Sequence, residues 1–404
     1  MGNAEGKSKD SEKSASSSSS VKNDKRVEQA FVKLAGSTSN FLTFGQLKEI
    51  FNEGLAESLW NYLSDSKSYD AKLTYQEFSR HATTLMGMST DIYVVACQPL
   101  LHLIKLCSEA AAAGAVSGDE KFIGHLANEM CASGSNAQAI ICWKNAMCPK
   151  FCSALQGLVL QVLLDIDYPT TDYSSDILTP IQMWYIQCCL PSKYFATGSS
   201  KTDSTSSNST VKQWTPLYSS ATHGISVNRF ETNVFDYRGP TVSIFHLTDG
   251  NIFVLATEET WRHGSSRFGG AETVLFQLSP KLNRWEASSS IYCNFKIRSA
   301  VFGLSFQDVM KIDKDMSNVG AVERVLIEYV CDENEVCKDV WGCAASNALE
   351  DQQKLRVWQN QQAEKNKKVP LPGNWDDNPD KTILEMAGFQ FSDERKRMEL
   401  ESRR

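Results

Sequence analysis

The residues best suited to acid–base or nucleophilic chemistry are His223, His246 and Glu272, with Ser220 and Ser226 flanking the first histidine. An imidazole beside a hydroxyl is the pairing that activates a serine nucleophile. The surrounding sequence gives that chemistry little support. It has no Gly-x-Ser-x-Gly elbow, no Gly-x4-Gly-Lys-Ser/Thr phosphate loop and no Gly-x-Gly-x-x-Gly turn after a strand. His246 sits inside an apolar strand run and reads as a packed residue. Glu272 stands at the head of another such run. Twelve cysteines are present, yet none are spaced as a Cys-x-x-Cys redox pair or as doubled zinc pairs. Cys142, Cys148 and Cys152 beside Trp143, and the vicinal Cys188-Cys189, read as buried structural thiols. His102 and His125 lie among apolar residues and read as packed. The chain is therefore expected to be no enzyme, with no catalytic residue, no metal and no cofactor.

Carboxylates at cation-loop spacing occur once. Phe41-Leu-Thr-Phe-Gly-Gln46 and Lys72-Leu-Thr-Tyr-Gln-Glu-Phe78 each place an aliphatic residue and a threonine before an amphipathic helix start, which resembles an EF-hand pair. With Glu77 as the bidentate twelfth ligand, Ser66, Ser68 and Asp70 fall at loop positions one, three and five, and Ala71 occupies the position that needs glycine. Two carboxylates and weak serine oxygens are a poor calcium set, and the first loop has only Gln46 at its twelfth place. An EF-hand shape with an empty site is expected.

These groups must be positioned by elements spread over 404 residues, which is long enough for more than one core. A net charge of -7 gives no general attraction for nucleic acid. No 18-residue uncharged apolar run appears, and the polar start lacks a signal-peptide core, so the cysteines are expected to be reduced thiols in the cytosol. The first 25 residues are serine- and lysine-rich, and disorder is expected there. Gly2, once Met1 is removed, is a candidate N-myristoyl acceptor, although Gly6 replaces the usual Ser or Thr. Nearby lysines would supply the second, electrostatic membrane signal. Helical patterning runs over residues 26–90, and a second helical layer, rich in Ala, Leu, Cys and Met, over 91–175. Thr179 caps a helix that begins at Pro180 and stops at Pro191. Residues 197–211 read as a surface loop.

The centre of the chain is residues 241–276. Thr241-Val-Ser-Ile-Phe-His-Leu247 and Ile252-Phe-Val-Leu-Ala256 flank a hairpin turn at Asp249-Gly250, and Glu272-Thr-Val-Leu-Phe-Gln-Leu278 follows. Both faces of the first two runs are largely apolar, as in strands covered on both sides. Around them stand Leu217-Tyr-Ser-Ser-Ala-Thr-His-Gly224, Arg238-Gly-Pro-Thr-Val242, Phe268-Gly-Gly-Ala-Glu-Thr-Val-Leu-Phe276 and Val301-Phe-Gly-Leu-Ser-Phe306. In this order the motifs resemble the TLDc domain family over residues 176–344, with His223, Gly239, Pro240, Asp249, Gly250, Gly270, Glu272 and Gly303 at motif positions. The chain departs from the family pattern at Phe253-Val254, at Lys296-Ile-Arg-Ser-Ala300, and at Ser305, where the family carries tryptophan.

The resemblance implies an α+β protein: the EF-hand-like helical region, a two-sheet antiparallel β-sandwich flanked by helices, and a C-terminal helical extension over 345–404. Residues 347–367 fit a long polar helix, 324–330 and Val340-Trp341 fit strands, and another helix is expected from about Lys381. The full layout is similar to the lysosome-associated branch of the family. That likeness implies a non-catalytic regulatory adaptor in the cytoplasm and at the cytosolic face of lysosomal membranes. Its implied partners are peripheral subunits of the vacuolar-type proton ATPase, mTOR complex components, and the membrane surface through acylated Gly2. Two alternatives stand beside it: an EF-hand-type calcium-responsive binder, and an oxidative-stress-protective enzyme acting through His223 or Glu272.

Overall fold

The computed structural model describes residues 25–36, 39–168, 175, 177–195, 214–246, 250–313, 319–321, 337–344, 346–367, 383 and 386–387. Gly2, Asp249, the strand expected over 324–330, the loop over 197–211 and nearly all of the helix expected from Lys381 lie outside them. The chain divides into two compact units, Met1–Ala345 and Ser346–Arg404.

The first unit begins with α1 (Lys25–Ala35) and two strand–helix pieces. β1 (Phe41–Leu42) leads into α2 (Phe44–Ile50) and α3 (Glu53–Leu63), and β2 (Leu73–Thr74) leads into α4 (Tyr75–Leu85). β1 and β2 pair antiparallel, with Phe41 opposite Thr74 and Leu42 opposite Leu73. Helices α2 and α4 start on the same signal, a threonine N-cap with Gln or Glu three residues on. Thr43 with Gln46 and Thr74 with Glu77 each close a reciprocal capping box. Then follow α5 (Asp91–Ala96), α6 (Leu100–Ala110), α7 (Glu120–Met130), α8 (Ala137–Met147), α9 (Ser153–Leu164) and α10 (Pro180–Cys189). Helix α10 uses a Thr179–Gln182 box with proline in its first turn, where a missing N–H removes no bond.

Among these helices Lys144 is almost wholly buried, with Nζ 2.8 Å from Asp91 Oδ1 and donating to Thr90 Oγ1 at 2.8 Å. This pair ties α8 to the start of α5. The hydrogen bond from Lys144 holds the Asp91 carboxyl below its ordinary pKa. A depressed folded pKa contributes stability that is complete above the unfolded value, about 3.9, and is lost as pH falls through the folded value. Asp91 is 37% exposed, so solvent weakens the pair, and Asp91→Asn should cost about 1–2 kcal/mol at neutral pH. The variant should also lose less stability than the parent between about pH 5 and pH 3. Urea midpoints across that range check both, and parallel acid profiles for the two proteins would contradict the assignment.

The second half supplies the sheets. After a 3-10 turn at Ser192–Tyr194 come β3 (Thr215–Ser219), α11 (Ser220–His223), α12 (Val227–Val234), β4 (Thr241–His246), β5 (Ile252–Thr257), β6 (Val274–Ser279) and β7 (Asn283–Glu286). Then follow β8 (Ile291–Asn294), β9 (Gly303–Phe306), β10 (Met310–Ile312), β11 (Val319–Ala321) and β12 (Cys337–Gly342). Among the described residues, a six-stranded sheet has the order β3-β12-β4-β5-β6-β7, and a four-stranded sheet the order β11-β10-β9-β8. All of these pairings are antiparallel.

Successive side chains point to opposite faces, and both faces of β4 and β5 are covered, so both strands are mostly apolar, with Thr241, Ser243 and Thr257 buried among the apolar residues. Val242, Ile244, Val254, Ala256, Val274, Phe276 and Trp341 join the same buried cluster as the helices. The intervening Phe245, Phe253, Leu255, Leu275 and Val340 are also buried, outside that cluster. An aromatic group centred on Trp261 forms a separate nucleus: its ring lies 5.4 Å from Phe230 and 6.0 Å from Phe268, and its Nε1–H donates to Thr241 Oγ1 at 2.8 Å. Of the cysteines read as buried, Cys148, Cys152, Cys188 and Cys189 are so, but Cys142 is exposed. Its position in α8 faces solvent because Ile140 and Lys144 occupy that helix's buried face.

The second unit contributes α13 (Ser346–Lys367). Its apolar residues are too sparse for a broad buried stripe, and Val357 and Trp358 are more than half exposed.

Candidate functional site

The glycine-rich motif before β6 forms a compact charged joint. Glu258, just past β5, accepts from the Glu272 backbone N–H at 3.1 Å through Oε1, and its Oε2 lies 2.6 Å from Lys193 Nζ. Lys193 is also 3.6 Å from Glu272 Oε1. Tyr194 donates from its hydroxyl to the Glu272 carbonyl at 2.9 Å, and Trp214 Nε1–H donates to the Tyr194 carbonyl at 2.9 Å. The turn at Ser192–Tyr194 is thereby fastened to the motif. The hydrogen bond from Lys193 lowers the pKa of Glu258, and burial drives that of Tyr194 far upward. Gly270 is required by this joint, because a Cβ there would stand 1.8 Å from Glu258 Oε1. Glu272 lies in the turn that precedes β6, two residues ahead of the strand.

Pro240, Ser192, Lys193, Phe195 and Glu258 border an open cavity of about 380 Å³. Lys150 Nζ sits 3.6 Å from the centre of the Phe195 ring and donates to the Leu190 carbonyl at 3.1 Å. Burial pulls its pKa down.

The other nominated residues are dispersed. His223 ends the single turn α11, with Nδ1 folded back to 3.1 Å from the Ser219 main chain and its ring stacked on Tyr218. His246 closes β4 opposite Ile252 and Cys337. Among the described residues, no contact joins either histidine to Glu272. Pro240 follows Gly239 and accepts from the Cys343 N–H at 2.8 Å, holding the end of β12. Gly250 occupies the hairpin turn at φ +83°. Gly303 opens β9 at φ +132°.

A histidine–carboxylate cluster that motif reading did not find joins Glu231 of α12 to two loops. Lys296 Nζ lies 2.8 Å and His263 Nε2 3.1 Å from the Glu231 carboxylate. The Phe295 N–H donates to His263 Nδ1 at 3.2 Å, and Phe235 stacks on the ring at 4.5 Å. Burial lowers the His263 pKa, against the attraction of Glu231 and with the repulsion of Lys296. Nothing in local spacing links residues 231, 263 and 296.

The loop nominated for calcium uses its carboxylate elsewhere. Glu77 accepts from Thr74 N–H and Oγ1–H, each at 3.0 Å, and pairs with Lys67. Lys67 lies between Ser66 and Ser68, so an ammonium occupies the carboxylate's ligand valence. It is the largest cause of a Glu77 pKa lowered to about 2. Ser66 is exposed at φ +61°, and Ser68 Oγ accepts from the Asp70 N–H at 3.4 Å. Trp60 Nε1–H donates to the Lys67 carbonyl at 3.1 Å, fixing the loop from below. Among the described residues, no group of three or more His, Cys, Asp or Glu could hold a metal ion. Calorimetric titration with Ca²⁺ to about 1 mM should give no binding heat. A saturable heat abolished by Glu77→Gln would overturn this.

Residues 171–323 match the family described as the TLDc domain. Among curated proteins, the chain is similar to three described as "Restriction of telomere capping protein 5". It is 24% identical over 270 residues to that of Leptosphaeria maculans, covering 46% of this chain and 42% of that protein. It is 25% identical over 266 residues to that of Pyrenophora tritici-repentis, covering 44% and 41%. With that of Colletotrichum graminicola it shares 24% over 240 residues, covering 43% and 40%. The chain thus spans about two fifths of the length of these relatives.

Proposed function

We propose that this protein, which carries a TLDc domain at residues 171–323, is a non-catalytic regulatory adaptor. The observation that carries the reading is the use made of the motif's charged groups. Glu258 and Lys193 serve each other and the backbone of the Glu272 turn, so the motif acts as a joint that fixes the loops around it. In this reading the two sheets are the halves of a TLDc sandwich. The paired β1 and β2 with their helices form an EF-hand-like unit, kept for its shape, with Lys67 standing in for calcium.

The adaptor works in the cytoplasm and at the cytosolic face of lysosomal membranes, where acylated Gly2 retains it. It binds peripheral subunits of the vacuolar-type proton ATPase and links them to mTOR signalling and the stress response. Support for the compartment and partners comes from the layout of the sequence and its TLDc motifs. Affinity purification of the tagged full-length protein tests the partner: ATPase subunits should be enriched over a tag-only control, and their absence would sink the assignment. Gly2→Ala should shift the protein to the soluble fraction, and undiminished membrane association would remove acylation as the anchor.

A further inference from the structure

The loop after β8 is built to hold apolar residues out in solvent. Ile297 is 38% exposed, Phe302 40% and Val301 79%. Such residues on a mobile loop would carry little meaning, but this loop is rigidly supported from beneath. Asn294, fully buried, donates through Nδ2 to the carbonyls of Ile297, Ala300 and Val301 at 2.9, 3.3 and 3.1 Å. Its Oδ1 accepts from the N–H groups of Lys296 and Ile297 at 3.2 and 2.8 Å. Tyr292 also donates from its hydroxyl to the Val301 carbonyl. One buried side chain thus satisfies five backbone groups of a loop that contributes no strand or helix. A loop held in this way loses little further entropy when it docks.

The charges on the loop itself have one sign. Residues 295–302 contain Lys296 and Arg298 and no acidic residue, although the chain as a whole carries -7. Arg298 is exposed. The Lys296 side chain is 64% exposed even while its Nζ meets Glu231. The adjoining residues 262–267 add Arg267, and Arg262 paired with Glu259 at 3.0 Å. They run beside β8 through the Gly264 N–H to the Cys293 carbonyl at 3.1 Å and the Phe268–Ile291 bridge. The carboxylate beneath, Glu231, is compensated by Lys296 and faces His263.

We propose that residues 295–302 form a membrane-contact loop, in which Ile297, Val301 and Phe302 enter the headgroup boundary of a bilayer and the exposed Arg298 meets anionic lipid. An apolar crest flanked by cations matches both components of such a surface, the hydrocarbon boundary and the negative potential above it. Asn294 presets the loop for this contact. The inference is compatible with the adaptor reading but independent of acylation and of the ATPase, and its test separates them.

Full-length protein produced in a host without N-myristoyltransferase is sedimented with vesicles of phosphatidylcholine alone or with about 30% phosphatidylserine. Binding should appear only with the anionic vesicles and weaken as salt is raised. Val301→Asp and Arg298→Glu should each lower the partition coefficient about tenfold. Both positions are exposed, so folding should be preserved, and unchanged thermal melts check this. Asn294→Ala should also lower binding, with the loop's protection from hydrogen exchange lost. No binding by the unacylated parent would overturn the proposal, as would equal binding to neutral vesicles. Binding unchanged in Val301→Asp and Arg298→Glu would assign the contact to another segment, such as the lysine-bearing first 25 residues, and would also overturn it. ATPase enrichment that persists in Val301→Asp would leave the adaptor reading intact whichever way the vesicle result falls.

Discussion

Gly303→Ala should destabilise the protein by about 3 kcal/mol or more. Two independent costs meet at this position. Its φ of +132° is a conformation that side-chain-bearing residues rarely adopt. A Cβ would also stand 2.5 Å from the Ile312 carbonyl oxygen, and that oxygen is main chain in the adjacent strand. Repacking a neighbour cannot relieve the contact; β9 and β10 must separate where Leu304 faces Ile312. For a unit of this size the loss corresponds to a fall of about 4 °C in Tm. Gly45→Ala in α2 is the control, since its Cβ meets nothing within 4 Å and its φ is ordinary for a helix. That change should leave Tm the same or slightly higher. A Gly303→Ala protein that melts with its parent would show that β9 and β10 tolerate separation at this point.

Gly270→Ala should cost about 2–3 kcal/mol for a different reason. Here the obstacle is a side chain: the new methyl would take the place of the Glu258 carboxylate, 1.8 Å away at Oε1 and 2.5 Å at Cδ. Displaced, Glu258 leaves the Glu272 N–H without its acceptor and Lys193 with only its longer contact to Glu272. The cost of the first loss dominates, because Lys193 is 56% exposed and its ion pair is largely screened. The two residues must therefore be coupled. In a double-mutant cycle with Glu258→Ala, the double variant should be about as stable as Glu258→Ala alone, since the clash disappears with the carboxylate. Denaturant midpoints of the four proteins measure the coupling. Strict additivity would mean that Gly270 is needed for some reason other than making room for Glu258.

Both glycines were legible in the sequence as motif positions, and the reasons for them were not. Local signals were sufficient for elements with their own start and stop chemistry: Thr179 and Pro180 open α10 and Pro191 follows its end, and near-continuous apolar runs mark β4 and β5 as covered on both faces. Glu272 could be named from its motif, but its working partner could not. Glu258 lies 14 residues away, and Lys193 reaches it from a turn before β3. The cluster of Glu231, His263 and Lys296 was invisible for the same reason, since three separate segments supply it. The calcium loop shows a subtler limit. Ligand counting gave a poor site, but only the structure shows that Lys67, a residue ligand counting passes over, has taken the carboxylate. Asn294 had no motif at all; its importance lies in five bonds to a loop whose path no periodicity describes.

The place of β12 in the larger sheet bears on how the chain comes to be folded at all. This strand, late in the first unit, lies between β3 and β4, and among the described residues it is the only strand paired with β3. During synthesis, β4 to β7 can associate as they leave the ribosome, but β3 must wait until residue 342 has emerged. Until then the β4 edge presents unpaired N–H and C=O groups to any other strand it meets. Premature termination anywhere between β11 and β12 would leave that edge permanently open. A recombinant fragment cut at residue 323, where the family match ends, would have the same defect and should aggregate, whereas one ending after Cys343 keeps the strand and the anchoring bond to Pro240.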